Sequence, residues 1–239
     1  MEKAIKRLFS ETAIYGLSTI IGRALNFLLV PLYVYVFSDP KDYGVVSILY
    51  SWVAFLIVLL PLGMETAFYK FSHDDKYSPS TVYQNGLLTI ILFNVGFWLV
   101  GSITSPQIAD WMLLKGHSEY IILLLSIVCI DAIAALPLAR LKNENKAKNF
   151  ALIQLASIAV NIISNVVLLL FFFDKSTPEQ GVMYILISNL LASLVKPLLL
   201  YKDYLKLRFT FDSELAKQML LYSIPLIFAG FAGIINETI

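Results

Sequence analysis

The sequence predicts an all-α integral membrane protein, a lobe of six transmembrane helices followed by the start of a seventh. Three observations carry this fold class. Of 239 residues, 58% are hydrophobic and only 15% charged, with a mean hydropathy of +0.75. Soluble globular chains run at about 45–50% apolar and about 25% charged, so this chain has too little charge to coat a water-facing surface. The apolar residues are gathered into runs long enough to cross a ~30 Å hydrocarbon layer at ~1.5 Å per helical residue. Those runs are continuous rather than alternating, and each is about twice the ~10 residues of a tilted membrane strand, which excludes a transmembrane barrel.

In order, the spans are Thr12 to Phe37, Tyr43 to Phe68, Tyr83 to Thr104, Tyr120 to Ala139, Phe150 to Phe173, Gly181 to Tyr201 and Met219 to Thr238. The first follows Lys3, Lys6 and Arg7 and so imitates a signal peptide. Its run is too long for a cleavable one, carries Arg23 and Asn26, and leads at once into another span. The connections are short and hold Pro40, Pro79, Pro106 and Pro178, which are expected outside helices. Between spans 3 and 4, Ile108 to Gly116 carries Trp111, Met112, Leu113 and Leu114, a pattern that lies on a bilayer surface. After span 6, Leu205, Leu207, Phe209 and Phe211 alternate with Lys206, Arg208 and Thr210, which reads as an extended amphipathic strip. Asp212 or Ser213 then caps the last helix. Domains are therefore expected over residues 1–201 (six-helix lobe), 202–218 (amphipathic connector) and 219–239 (a truncated seventh helix opening a second lobe). The stop at Ile239, with no following loop, reads as a truncated product or a fragment.

Five further prolines, Pro31, Pro61, Pro137, Pro197 and Pro225, fall inside spans and are expected to kink them. Charged residues inside spans are costly, at about 2.5–3.5 kcal/mol on insertion scales, and normally face protein or water. Arg23 lies about 16 Å into span 1, and Asp131 lies as deep in span 4 from the other end. An aqueous cavity is the expected environment of Arg23, with an Arg23 to Asp131 ion pair as the structural alternative. Glu65 and Lys196 sit near the inner ends of spans 2 and 6, where a lysine stem reaches the headgroups. Gln154, Ser157, Asn161, Ser164 and Asn165 in span 5, and Ser188, Asn189, Ser193 and Lys196 in span 6, recur at helical spacing. Such faces serve interhelical packing or a cavity lining alike.

Several function classes are excluded or weakened. Cys129 is the single cysteine and forms no intramolecular disulfide. A net charge of +1 lacks the basic excess that nucleic acid requires. His73 with Asp74 and Asp75 reads as a solvated turn rather than a metal site, and His117 lies across the membrane from it. No Gly-rich phosphate loop is present. Neither an enzyme, a cofactor nor a metal is expected.

The segments Gly22-Arg23-Ala24-Leu25-Asn26-Phe27-Leu28-Leu29-Val30-Pro31-Leu32-Tyr33, Asp42-Tyr43-Gly44-Val45-Val46-Ser47 and Gly63-Met64-Glu65-Thr66-Ala67-Phe68-Tyr69-Lys70-Phe71 resemble the opening of bacterial polysaccharide transporters. These belong to the multidrug, oligosaccharidyl-lipid and polysaccharide (MOP) exporter superfamily, and the O-antigen and capsule flippase branch is the nearest in kind. Arg140 to Lys148, and Tyr222-Ser223-Ile224-Pro225-Leu226 with Ala229-Gly230, resemble its span 4 to 5 loop and the start of its span 7. The resemblance implies two six-helix lobes facing a central cavity. It also implies alternating-access flipping of undecaprenyl-diphosphate-linked oligosaccharide for cell-surface polysaccharide, including lipopolysaccharide, across the bacterial cytoplasmic (inner) membrane. A forked, permanently charged arginine suits a diphosphate, so Arg23 is the expected headgroup contact, with Asn26, Asp131 and Asn161 in the cavity and Glu65 and Lys196 as gating residues, Glu65 through Lys70. Membrane lipid and a coupling ion, proton or sodium, are the other expected partners. The alternatives are a cation-coupled multidrug antiporter of the same superfamily using Asp131, and an inactive half-transporter.

Orientation follows from the basic residues, which accumulate in cytoplasmic loops. With the N-terminus inside, thirteen fall on the inner side: Lys3, Lys6, Arg7, Lys70, Lys76, Arg140, Lys142, Lys146, Lys148, Lys202, Lys206, Arg208 and Lys217. Three, Lys41, Lys115 and Lys175, fall outside. Substituted-cysteine labelling on a Cys129→Ala background should therefore reach position 175 from outside intact cells and leave position 144 protected; the reverse pattern would invert the topology.

Overall fold

The computed structural model describes residues 16, 20–21, 24–25, 27–37, 40–174, 176–206 and 210–238. They form helices α1 (Leu29–Val36), α2 (Pro40–Leu59), α3 (Met64–Phe71), α4 (Pro79–Ile103), α5 (Ser105–Trp111), α6 (Ser118–Asn143) and α7 (Ala147–Val167), the last running into a π-helical turn at Leu168–Phe172. Helices α8 (Pro178–Leu199), α9 (Tyr201–Leu205) and α10 (Ser213–Thr238) complete the chain, and no strand occurs among the described residues. Among the described residues six segments are long and apolar enough to cross a membrane: Tyr43–Phe71, Pro79–Ile103, Ser118–Asn143, Ala147–Phe172, Pro178–Leu199 and Ser213–Gly233. They correspond to sequence spans two to seven. Most of the first span lies outside the described residues, with α1 as its end.

The helix starts follow from local chemistry. Pro40, Pro79, Pro106 and Pro178, expected in connections, all sit in the first turn of a helix instead. There the missing N–H is one that would have no intrahelical partner, and the fixed φ is already helical. Ser78 caps α4 by accepting from the Thr81 N–H at 3.1 Å. Asp212 caps α10 through one carboxylate oxygen that accepts from the N–H groups of Glu214 and Leu215, both at 3.0 Å. The extended strip expected from Leu205 to Phe211 is corrected at its start, since Tyr201–Leu205 is a turn of helix; residues 207–209 lie outside the described residues.

Of the five span prolines, Pro137, Pro197 and Pro225 lie within continuous helices. Pro31 lies in the first turn of α1, just after a turn at Leu28, and Pro61 coincides with an interruption. Leu62 and Gly63, at φ 55° and 62°, are consecutive left-handed residues that separate α2 from α3. A left-handed leucine costs about 1–2 kcal/mol and strands carbonyls that the hydrocarbon layer cannot solvate. The Gly63 carbonyl accepts from the N–H groups of Thr66 and Ala67, both at 3.2 Å, whereas the Leu60 carbonyl is met from another helix, Asn94 of α4 donating to it from Nδ2 at 3.0 Å. The Ser223 hydroxyl of α10 lies 3.2 Å from the Gly63 carbonyl and 2.9 Å from the Met219 carbonyl of its own helix.

The described chain forms two compact units. One comprises Met1–Ser47 with Leu141–Leu199, the other Ile48–Arg140 with Leu200–Ile239. In the first, α7 and α8 pack side by side, and the Ser157 hydroxyl donates to the Ala192 carbonyl at 2.7 Å. Gly181 admits the ring of Phe37, whose Cε1 would lie 2.7 Å from an added methyl. In the second, Met64, Phe68, Leu87, Ile90, Leu136 and Met219 form a core around the interruption. Leu92, Val100 and Ile103 on α4 and Leu152, Ile163 and Phe171 in the first unit are exposed. Lipid accepts such surfaces without penalty, so cohesion within each unit rests on close packing and interhelical hydrogen bonds.

Disturbing the interruption or its Asn94 partner should be costly. Asn94→Leu leaves the Leu60 carbonyl unpaired, a loss of about 1–3 kcal/mol. Gly63→Ala forces alanine into a left-handed conformation and brings its methyl to 3.0 Å from Ser223 Cβ. Both variants should melt below the parent in detergent, while Leu92→Ala, on the exposed face, should not.

Candidate functional site

The interruption places a helix start inside a candidate membrane-crossing segment. α3 begins at Met64, which is fully buried, and Glu65 stands in its first turn, half-buried. A carboxylate there is favoured by the amide dipoles of the turn. At the other end of α3 the Lys70 ammonium lies 3.9 Å from the centroid of the Tyr222 ring and 5.4 Å from that of Phe71. That is a cation–π arrangement, and it engages the lysine that sequence reasoning offered to Glu65. Asp131 occupies the middle of α6 and is half-buried.

In the other unit, polar side chains of α1 and α7 form a chain of bonds. The Tyr33 hydroxyl donates to Asn165 Oδ1 at 3.0 Å, and Asn165 Nδ2 donates to both the backbone carbonyl (2.8 Å) and Oδ1 (3.0 Å) of Asn161. Asn165 is fully buried and Asn161 nearly so. Lys196, in the last turn of α8, is half-buried. The expected site residues are thus distributed: Asn161 and Lys196 in one unit, Glu65 and Asp131 in the other. Arg23 and Asn26 lie outside the described residues, and with them the Arg23 to Asp131 pair.

At one end of the second unit the structure gathers residues from five segments. The Arg140 guanidinium donates to Asp203 Oδ1 at 3.2 Å, and its Cζ stands 4.6 Å from the centre of the Tyr83 ring. The Tyr69 hydroxyl donates to the Ala139 carbonyl at 2.9 Å. Burial, reinforced by the Asp203 carboxylate, pushes the Tyr204 phenol well above its ordinary range, so it stays neutral. Asn85 makes a reciprocal pair with the backbone of Asp212, donating to its carbonyl at 2.8 Å and accepting from its N–H at 3.3 Å. Beside these, a recess of about 720 Å³ is lined by Ser78, Ser80, Thr81, Gln84, Leu205, Lys206 and Thr210.

The histidines behave locally. His73 Nδ1 lies 2.8 Å from the Tyr69 carbonyl in an exposed turn where Asp74 accepts from the Lys76 N–H. His117 Nδ1 lies 3.0 Å from Glu119, with its ring stacked on Tyr120 at 4.7 Å. No cluster of three metal-ligating side chains occurs among the described residues.

Sequence reasoning missed Asn85, Asn94, Ser223 and the Arg140–Asp203 pair. The signal for Asn94 was present, a lone amide in an apolar run facing a chain that contains Pro61-Leu62-Gly63. The partners of Asn85 and Arg140 lie 127 and 63 residues away, beyond what local spacing encodes.

A family model described as polysaccharide biosynthesis protein matches residues 8–239. No curated protein and no solved structure matches the chain.

The Arg140 and Asp203 side chains are 35% and 26% exposed, so solvent screens them. A double-mutant cycle with Arg140→Ala and Asp203→Ala should return a coupling of about 1 kcal/mol. A coupling of about 3–5 kcal/mol, the cost of breaking a fully buried pair, would contradict this reading.

Proposed function

Because the chain belongs to the polysaccharide biosynthesis protein family, we propose that it moves lipid-diphosphate-linked oligosaccharide, an undecaprenyl-diphosphate glycan, across the membrane for cell-surface polysaccharide. The match over residues 8–239, in a chain whose described residues hold six segments long and apolar enough to cross a membrane, is the observation that carries this reading. The interruption between α2 and α3 supports it. Irregular backbone at membrane depth is tolerated only against protein or a water-filled cavity, and transporters build sites from such interrupted helices. In this reading the protein is a transporter rather than an enzyme. It is multi-pass in the bacterial inner membrane with the N-terminus inside. Residues 1–201 form a six-helix lobe, 202–218 a connector and 219–239 the first helix of a second lobe.

Within that lobe Arg23 is the proposed diphosphate contact in the cavity, with Asn26, Asp131 and Asn161 beside the path. The bonds that hold Asn161 to Asn165 and Tyr33 support a fixed wall rather than a moving ligand. Glu65, at the start of α3, and Lys196 are the proposed gating residues. A second reading, a cation-coupled antiporter of the same superfamily, is favoured by one feature: a half-buried carboxylate, Asp131, in the middle of α6.

One set of variants separates the readings. Arg23→Ala should abolish glycan export at matched protein levels, and Arg23→Lys should restore it only in part because the bidentate fork is lost. Asp131→Asn should abolish transport with Arg23 intact if protons couple there. If Asp131 instead neutralises Arg23, each single change should lower stability by about 3–5 kcal/mol, and the Arg23→Met, Asp131→Leu double variant should recover it. Normal export by Arg23→Ala would remove the arginine from the mechanism.

A further inference from the structure

Helices α4 and α6 approach each other closely at two levels and part between them. Towards one end, a methyl added to Gly101 would stand 2.5 Å from Leu125 Cδ1. Towards the other, one added to Gly86 would stand 3.1 Å from Leu136 Cδ2. Between these contacts, ~22 Å apart along α4 at helical rise, lies a recess of about 270 Å³. Its lining comes from Asn94, Val95 and Trp98 on α4 and from Ser126, Cys129, Ile130 and Ile133 on α6.

Most polar groups of that lining are turned to other uses. Trp98 Nε1 donates to Ser126 Oγ at 2.9 Å, and Ser126 donates in turn to the Ile122 carbonyl at 2.7 Å. Asn94 Nδ2 is spent on the Leu60 and Ile90 carbonyls at 3.0 and 2.9 Å, and its Oδ1 is buried without a hydrogen-bond partner. The rest of the lining is the indole, the thiol and branched aliphatic carbon. Concave, apolar and pre-formed, with a floor held by hydrogen bonds, it has the character of a ligand seat rather than a flat lipid face. Val95 at its rim is 47% exposed, so the recess opens sideways. It lies near the middle of two candidate membrane-crossing helices and is closed above and below by the glycine contacts.

We propose that this recess seats a segment of the isoprenoid chain of the lipid-linked substrate. The proposal rests on the reading of the chain as a transporter of such a lipid. An ordinary acyl chain is about one leaflet long and brings only its end to mid-bilayer depth. A polyprenyl chain exceeds a leaflet, so interior segments must lie there, and its recurring methyl branches fill a pocket that a straight chain leaves loose. A hydrocarbon held at this depth gives the transporter a grip on the lipid that is independent of its headgroup.

Trp98 and Cys129 make the idea measurable. In a Trp52→Phe, Trp111→Phe chain, Trp98 is the sole tryptophan. It should be quenched in phosphatidylethanolamine–phosphatidylglycerol vesicles whose acyl chains are brominated near the middle. Undecaprenyl phosphate should then relieve the quenching saturably, and stearyl phosphate, with the same charge and a straight chain, should not. Cys129→Phe, which fills the recess, and Val95→Phe, which narrows its mouth at an exposed position, should each lose the relief; Cys129→Ala should keep it. Relief by stearyl phosphate as well, no relief by either lipid, or relief that survives both phenylalanine variants would overturn the proposal. Relief in a chain that exports no glycan in cells would refute the transport reading and leave the seat standing.

Discussion

The need to satisfy backbone carbonyls where a membrane-crossing helix breaks governs the second unit. Once Pro61, Leu62 and Gly63 interrupt the segment Tyr43–Phe71, the Leu60 carbonyl needs a donor that hydrocarbon cannot supply. Asn94 supplies it, and Ser223 adds a contact to the Gly63 carbonyl, so α4 and α10 meet at the same point. The surrounding apolar residues then pack as a consequence: Leu87 and Ile90 arrive with α4, Met219 with α10, and Leu136 from α6 closes the group. In lipid, where apolar contact alone selects no partner, a few amides and hydroxyls choose the register that the packing then fills.

The first unit answers a different demand. Helix α7 is uninterrupted until the π-helical turn at Leu168–Phe172. Polar side chains there bond to one another and to neighbouring carbonyls instead, as in Tyr33–Asn165–Asn161 and Ser157–Ala192. One unit uses polar groups to repair a break, the other to fasten intact helices. In the former, α3 begins with Glu65 in its first turn.

Much of this was legible in the residues. Helix number and length follow from apolar runs, since crossing hydrocarbon fixes both. Capping by Asp212 was visible because the cue and its effect are local. Proline was the misleading residue: Pro40, Pro79, Pro106 and Pro178 looked like loop markers and proved to start helices, while of Pro61, Pro137, Pro197 and Pro225 only Pro61 coincides with a break. The difference is the company Pro61 keeps, because Gly63 accepts a left-handed turn two residues later and the others have no such neighbour. For the candidate site, Glu65, Asp131, Asn161 and Lys196 could be named from hydropathy, whereas the residues that hold the architecture could not. Asn85 and Arg140 are defined by partners far along the chain, and a one-dimensional pattern carries no distance of that kind.

The reciprocal pair between Asn85 and the Asp212 backbone has a consequence for biosynthesis. Its two halves are 127 residues apart, so the ribosome delivers Asn85 well before the segment that satisfies it. At ~5–20 residues per second, α4 spends ~6–25 s without its clasp. Ser223 reaches the Gly63 carbonyl later still, across 160 residues. The early helices of the second unit therefore wait on α10 for these partners. Throughout that interval the Asn85 amide must be sheltered by something other than its final neighbour, so the arrival of the Asp212 cap and α10 fixes a helix made long before.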